Sequence, residues 1–285
     1  MMASYLVAES GSTKTDWFFI KKGKKPVFFK TSGINPYLQS KEDITAMLQQ
    51  ELPWDHKKYA IDKISYYGSG AASAEKQQLL SEILKAYFAV EKIAVQSDLL
   101  AASRSLCGDQ KGMVCILGTG SASCFYDGKK IKEQQPSLGY IAGDEGSGNY
   151  MGKRVLQYYT YGTFDAEIKL GFEMRFGKDL QGIINKLYSE PYPNRYLATF
   201  VSLLKECRGH YMVENIIEDC INDFFQHSIL KYRQSWKNPL FFIGSVAHEF
   251  RDVIESLCDQ YELEIGKIEK SPLDGLVKYY KKEVA

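Results

Sequence analysis

Residues 9–15, Glu9-Ser10-Gly11-Ser12-Thr13-Lys14-Thr15, place one carboxylate, four hydroxyls, a glycine and a lysine in consecutive positions. Glycine lets backbone curl closely around an anion, and Ser and Thr hydroxyls with backbone amides point donors into the curl. Lys14 adds positive charge, so a phosphate suits this turn. A plain hairpin with a polar tip is the competing reading of the same residues. The pattern recurs in mid-chain, where Met113-Val114-Cys115-Ile116-Leu117 runs into Gly118-Thr119-Gly120-Ser121 and then Ala122-Ser123-Cys124-Phe125-Tyr126. Both copies continue through a lysine-bearing turn (21–25 and 127–130) into a third strand. Two copies of one phosphate-gripping hairpin suggest two related domains facing a shared nucleotide.

Three further groups can do chemistry. Asp98 follows an apolar strand and opens a helix, where a carboxylate can take the proton of a hydroxyl attacking the terminal phosphate of ATP. Stabilisation of the helix N-terminus alone, worth ~0.3–1 kcal/mol, also accounts for an Asp there. Asp144-Glu145 lie in a run holding five glycines between 139 and 152. They suit the vicinal hydroxyls of a sugar or a hydrated Mg²⁺, with a charged surface turn as the alternative. Gly152-Lys153 does not complete a Walker motif, because Ser147 stands at the required first glycine and Arg154 at the required Ser or Thr. Gly244-Ser245-Val246-Ala247 follows an apolar strand and precedes a helix, a turn against which a flat adenine can lie.

The elements that must carry these groups read in order. Strands are predicted at 5–8, 16–20 and 26–29, followed by a helix over 40–51 with Ser40 as N-cap. A strand at 61–67, a helix over 74–89, a strand at 92–96 and a helix over 98–107 capped by Ser97 complete a β-β-β-α-β-α-β-α unit. The second unit repeats the three strands over 112–134, passes through a glycine-rich loop at 136–148, and carries a mostly helical insert over 149–235 broken at 189–193. A strand at 240–243, a helix over 247–259, a strand at 261–268 and a helix over 273–283 follow. The expected fold class is α/β, with mixed sheets flanked by helices. The expected domains are 1–107, joined by the C-terminal helix 272–285, and 108–271. Ligands of such sheets bind outside the strand ends, and loops 9–15, 68–73, 97–98, 118–121 and 244–247 all follow strands.

Composition narrows the partners. With 36 Lys+Arg against 35 Asp+Glu, the charge of +1 argues against a broad grip on nucleic acid or an anionic membrane. The six cysteines form no CxxC pair and the four histidines no metal-ligand spacing. No apolar run approaches the ~18 residues of a membrane span, and the chain enters a strand at once without a signal peptide. A reducing, cytoplasmic setting is expected, with a small-molecule partner; a homodimer stays open.

Gly143-Asp144-Glu145-Gly146-Ser147-Gly148, supported by Ser10–Thr15, Gly118–Ser121 and Gly244–Ala247, resembles the N-acetylglucosamine kinase family of the actin-like ATPase superfamily, the branch grouped with the benzoyl-CoA reductase ATPase subunits. The resemblance runs over essentially the whole chain. It implies two ribonuclease-H-like domains around a central cleft that closes on ATP and sugar, with the last helix on the first domain. It makes Asp98 the catalytic base, and 9–13 (with Gly11, Ser12 and Thr13, followed by Lys14) and 118–121 (Gly118, Thr119, Gly120 and Ser121) the phosphate loops. Asn35, Ser69 and Asp144 match sugar contacts, Gly244 and Ser245 the adenosine turn, and Glu9 holds Mg²⁺ through water. The implied reaction is transfer from ATP to a hydroxyl of an amino sugar, at C6. The chain departs from the family at Glu9, where many superfamily members carry Asp, and at Pro136-Ser137-Leu138-Gly139, where the family has Gly-Gly-Trp-Gly. An ATPase that activates a partner redox enzyme, and a non-catalytic nucleotide or sugar sensor, are the other classes this chemistry could serve.

Overall fold

Alternation along the first three strands explains the architecture. In β1 (Ser4–Ser10), Leu6 and Ala8 turn to one side and Val7 to the other. In β2 (Lys14–Lys21), Trp17 and Phe19 oppose Phe18 and Ile20 in the same way. A strand apolar on both sides needs cover on both faces of its sheet. The computed structural model, which describes residues 4–11, 14–68, 70–71, 73–189 and 191–285, supplies that cover.

The remaining elements of the first unit are β3 (Val27–Ser32), α1 (Lys41–Glu51), β4 (Lys63–Gly68), α2 (Ala74–Phe88), β5 (Ile93–Ser97) and α3 (Asp98–Leu106). Its sheet has the order β3-β2-β1-β4-β5, antiparallel across β3-β2-β1 and parallel across β1-β4-β5. Helices α1 and α2 seal the face carrying Leu6, Trp17, Ile64 and Tyr66. Ser40 and Asp43 form a reciprocal capping box at the start of α1, and Ser97 caps α3 through the Leu100 N–H.

The second unit, Lys111–Ser271, repeats this plan. It contains β6 (Gly112–Leu117), β7 (Ser121–Tyr126), β8 (Ile131–Gln134), α4 (Gly139–Ala142), α5 (Gly148–Thr160), α6 (Ala166–Phe176), α7 (Leu180–Ser189), α8 (Pro193–Thr199), α9 (Val201–Glu206), α10 (Tyr211–His227), two 3₁₀ turns, β9 (Leu240–Ile243), α11 (Ser245–Glu249), α12 (Arg251–Gln260) and β10 (Ile265–Glu269). The sheet order β8-β7-β6-β9-β10, antiparallel then parallel, is the first sheet strand for strand. Where the first unit has the single helix α1, the second inserts α4 to α10. Helix α10 buries Val213, Ile217, Cys220 and Phe224 at three- and four-residue steps, against Met113, Cys115 and Leu117 of β6.

The last helix, α13 (Leu273–Glu283), belongs to the first unit, Met1–Gln110 with Pro272–Ala285. It lays Leu276, Val277 and Tyr280 over Val7, Phe18, Ile20 and Tyr67, the face opposite α1 and α2. The Tyr280 and Tyr67 hydroxyls meet at 2.6 Å, and Arg104 of α3 donates to the Tyr67 hydroxyl.

Three local readings change. The helix expected over 247–259 is two helices parted at Phe250, whose ring is fully buried and whose backbone leaves the helical region. The strand expected from 261 begins at Ile265, because Glu262 adopts a left-handed turn conformation. The loop at 136–148 contains one helical turn, α4.

Candidate active site

In the first unit the parallel register places Ser10, Gly68 and Ser97 in one row across β1, β4 and β5, so the loops after these strands open at one end of the sheet. Glu9 sits one residue inside that row and Asp98 one residue beyond it. The turn after β1 closes with the Gly11 N–H donating to the Lys14 carbonyl at 3.0 Å. Ser12 and Thr13 lie outside the described residues. Behind the turn, the buried Ser10 and Thr15 hydroxyls bond at 2.8 Å. Ser10 Oγ also accepts the Ile34 N–H at 3.0 Å, which ties the loop after β3 to the end of β1.

That loop carries Asn35. Its Oδ1 accepts the Tyr37 N–H at 3.0 Å and its own N–H donates to Gln39 Oε1 at 2.7 Å. The neighbouring Pro36 packs on Gly70 so closely that a Cβ there would fall 2.5 Å from Pro36 Cδ. Asn35 is thereby held against the loop that follows β4. Ser69, in that loop, lies outside the described residues.

Glu9 and Asp16 stand directly opposite one another in the β1–β2 ladder. Like charges so placed repel. Burial, followed by the negative charges of Asp16 and Asp98, raises the Glu9 carboxyl to about 7, and Lys14 only partly offsets this. Asp16 is 2 % exposed. Its Oδ2 accepts Lys14 Nζ at 2.5 Å, while Oδ1 is buried without a hydrogen-bond partner among the described residues. Burial likewise raises the Asp98 carboxyl, against the pull of backbone N–H groups; Leu99 N–H reaches its Oδ1 at 2.8 Å. Three carboxylates and one lysine therefore gather at the strand ends. Asp16 is the member that sequence reasoning passed over: its only signal is the hairpin register, which pairs position 16 with position 9.

A buried carboxylate oxygen without a partner among the described residues, on the residue registered opposite a second carboxylate, suits a hydrated divalent cation, so Glu9 and Asp16 fit the Mg²⁺ that the family resemblance implies.

In the second unit the equivalent turn joins β6 to β7, with the Gly118 N–H donating to the Gly120 carbonyl at 3.0 Å. The start of α5 backs it. Gly148 N–H donates to the Gly118 carbonyl at 2.8 Å, and Asn149 N–H to the Thr119 carbonyl at 3.0 Å. Asp144 takes a left-handed φ of 60°. Its Oδ1 accepts the Ser121 N–H at 3.4 Å and its Oδ2 the Asn149 Nδ2 at 2.7 Å. Asp144 is thus built onto the turn of 118–121.

Gly244 has φ of 128°, and a Cβ on it would fall 2.1 Å from the Leu117 carbonyl oxygen, so only glycine lets the end of β9 lie flat on the end of β6. Ser245 follows as the first residue of α11. A cavity of about 620 Å³ opens here. Gly118, Thr119, Gly148, Ser245 and Val246 form one side, and Phe176, Thr199, Lys205, His248, Glu249 and Lys270 are among the rest of its lining. Lys205 and Glu249 pair across it at 2.8 Å. The structure therefore brings Gly118, Thr119 and Ser245 to one cavity, with Gly244, Gly120, Ser121 and Asp144 directly behind. The insert residues of the lining had no sequence signal, because helical spacing says nothing about which polar side chains face inward.

Among the described residues no cluster of three or more His, Cys, Asp or Glu could hold a metal ion, and five of the six cysteines are buried. No helix among them is long and apolar enough to cross a membrane.

No protein-family model matches the sequence, and no curated protein matches it. Solved structures do. A crystal structure from Porphyromonas gingivalis, carrying the provisional name N-acetylglucosamine kinase, is 37% identical with a TM-score of 0.92, covering 99% of this chain and 100% of that one. A second protein of the same provisional name, from Chromobacterium violaceum, is 14% identical with a TM-score of 0.76 over 98% of this chain and 99% of its own. A ROK-family glucokinase from Streptomyces griseus, crystallised with glucose and AMPPNP, is 13% identical with a TM-score of 0.55 and covers 98% of each chain. The last two speak to the fold, which is that of paired ribonuclease-H-like domains. The first, at its identity and full coverage, carries the family: the chain belongs to the N-acetylglucosamine kinase family.

Proposed function

We propose that this chain, an ATP-dependent carbohydrate kinase by family, transfers the terminal phosphoryl group of ATP to the C6 hydroxyl of N-acetylglucosamine or a related amino sugar. The observation that carries the reading is Asp98, a half-buried carboxylate at the head of α3 and at the end of a parallel sheet, with Glu9 within electrostatic reach. Burial raises its proton affinity, which suits a general base for a sugar hydroxyl.

In this reading the cavity of the second unit takes the adenosine, with Gly244 and Ser245 against the base. Residues 118–121 and the turn at Gly11, Ser12, Thr13 and Lys14 take the phosphates. Asn35, Ser69 and Asp144 contact the sugar. Glu9, through water and with Asp16 beside it, would hold the Mg²⁺, whose contribution is to neutralise charge on the phosphates. Asp98 accepts the proton of the attacking hydroxyl, and the phosphoryl group moves from the ATP β-oxygen to the sugar oxygen. The name borne by the Porphyromonas gingivalis relative and the glucose and AMPPNP of the Streptomyces griseus glucokinase support the substrate classes.

The test is a panel of N-acetylglucosamine, glucosamine, N-acetylmuramic acid, mannosamine and glucose with Mg·ATP and purified protein. Release of ADP on adding an amino sugar is expected, with phosphorus coupled to the C6 protons of the product by NMR. A panel in which no sugar stimulates ADP release would overturn the reading.

A further inference from the structure

Asn149, the second residue of α5, carries no role in the reaction outlined above, yet its side chain is completely buried and ties two parts of the site together. Nδ2 donates to the Thr119 carbonyl at 2.6 Å and to Asp144 Oδ2 at 2.7 Å, and the Asn149 backbone N–H donates to the same Thr119 carbonyl. Both partners are pure acceptors, so only the NH₂ end of the amide can face them, which assigns its orientation by chemistry. Asn149 Oδ1 is buried with no hydrogen-bond partner among the described residues. A side chain kept for packing alone would not bury an unsatisfied amide oxygen, since an apolar residue avoids that penalty.

The consequence for the turn follows from peptide planarity. In a trans peptide the carbonyl of one residue and the N–H of the next point in opposite directions. There is no cis peptide among the described residues. Fixing the Thr119 carbonyl on Asn149 therefore aims the Gly120 N–H away from it, and fixing the Gly118 carbonyl on Gly148 does the same for the Thr119 N–H. Two successive amides so directed are what an anion meets. The same Asn149 NH₂ group sets the carboxylate of Asp144, which its left-handed backbone alone does not orient.

We propose that Asn149 is a positioning residue that couples nucleotide to sugar: one buried amide sets the phosphate-binding turn and the sugar-binding carboxylate, so that ordering either prepares the other. The inference rests on the roles proposed above for residues 118–121 and Asp144. Coupling between two ligands is reciprocal and typically amounts to a ~5–150-fold change in affinity. It is also a quantity that a purely structural role would leave alone.

Calorimetric titration of the full chain with Mg·AMPPNP, with and without the sugar that stimulates ADP release in the panel, measures it. In the wild type the sugar should tighten AMPPNP binding by about 5-fold or more. In Asn149→Ala that factor should fall below about 2-fold, whatever the change in AMPPNP affinity without sugar. Asn149→Ser, whose hydroxyl can donate to Thr119 or Asp144 but not both, should also lose the coupling, and it serves if the alanine variant fails to fold. Full coupling retained in either folded variant overturns the proposal. So does a wild type that binds both ligands independently, and that outcome leaves the kinase reading standing. A wild type that binds neither ligand removes the kinase reading and the proposal with it.

Discussion

At the scale of single residues, the first unit concentrates like charge where folding alone would disperse it. Asp98 is the residue whose chemistry is most exposed to test. Asp98→Asn keeps shape and the Leu99 contact but cannot accept a proton, so kcat for sugar phosphorylation should fall by ~10²–10⁴-fold with AMPPNP affinity largely kept. Steady-state rates and calorimetry on the same preparation check both halves, and near-wild-type turnover would remove Asp98 from the role. Glu9 makes a prediction about stability. Its carboxyl lies at about 7 in the folded chain against an ordinary 4.5, raised by burial first and then by Asp16 and Asp98. A carboxyl raised on folding binds its proton more tightly in the native state, so its contribution is complete below about 4.5 and is lost as pH rises through about 7. Urea denaturation of the ligand-free protein should show stability declining over this window, and Glu9→Gln should flatten the decline. Equal slopes in the two proteins would show that this group does not govern it.

At the scale of elements, capping and periodicity did much of the work. Ser40 and Ser97 cap the helices that their positions announce, and the paired hairpins stand where alternating apolar runs put them. The exceptions arise where neither a capping residue nor apolar spacing marks the boundary. Phe250 breaks a helix by burying its ring, and β10 starts late because the Glu262 turn precedes it. Gly244 belongs at this scale too, since its bare Cα lets β9 and β6 end together beside the cavity. Gly244→Ala adds a Cβ at a left-handed φ and into the Leu117 carbonyl, which should cost ~1–3 kcal/mol of stability. AMPPNP affinity should fall with it. A variant of wild-type stability and affinity would show that the strand ends tolerate separation.

At the scale of the molecule, one topology is used twice, and the chain's last helix completes the first copy, sharing one face of its sheet with α3. Val7, Phe18, Ile20 and Tyr67 are covered by Leu276, Val277 and Tyr280, from the far end of the sequence. A fragment of residues 1–110 should therefore unfold with little cooperativity, whereas the same fragment joined by a flexible linker to 272–285 should regain a sigmoidal urea transition. Equal transitions in the two would show that α13 is dispensable to this core. The α/β class and the repeated hairpin were legible in the residues, because alternation of apolar side chains and the punctuation of Gly, Ser and Thr are local properties of a chain. Asp98 and Asp144 could be picked out by their places at a helix start and in a glycine-rich run. The partnership of Asp16 with Glu9, the bridge of Asn149 between Thr119 and Asp144, and the insert side chains that line the cavity could not. Those depend on strand register and on helices from separate stretches meeting at one turn, and such meetings are chosen by packing over the whole unit rather than by the residues nearest in sequence.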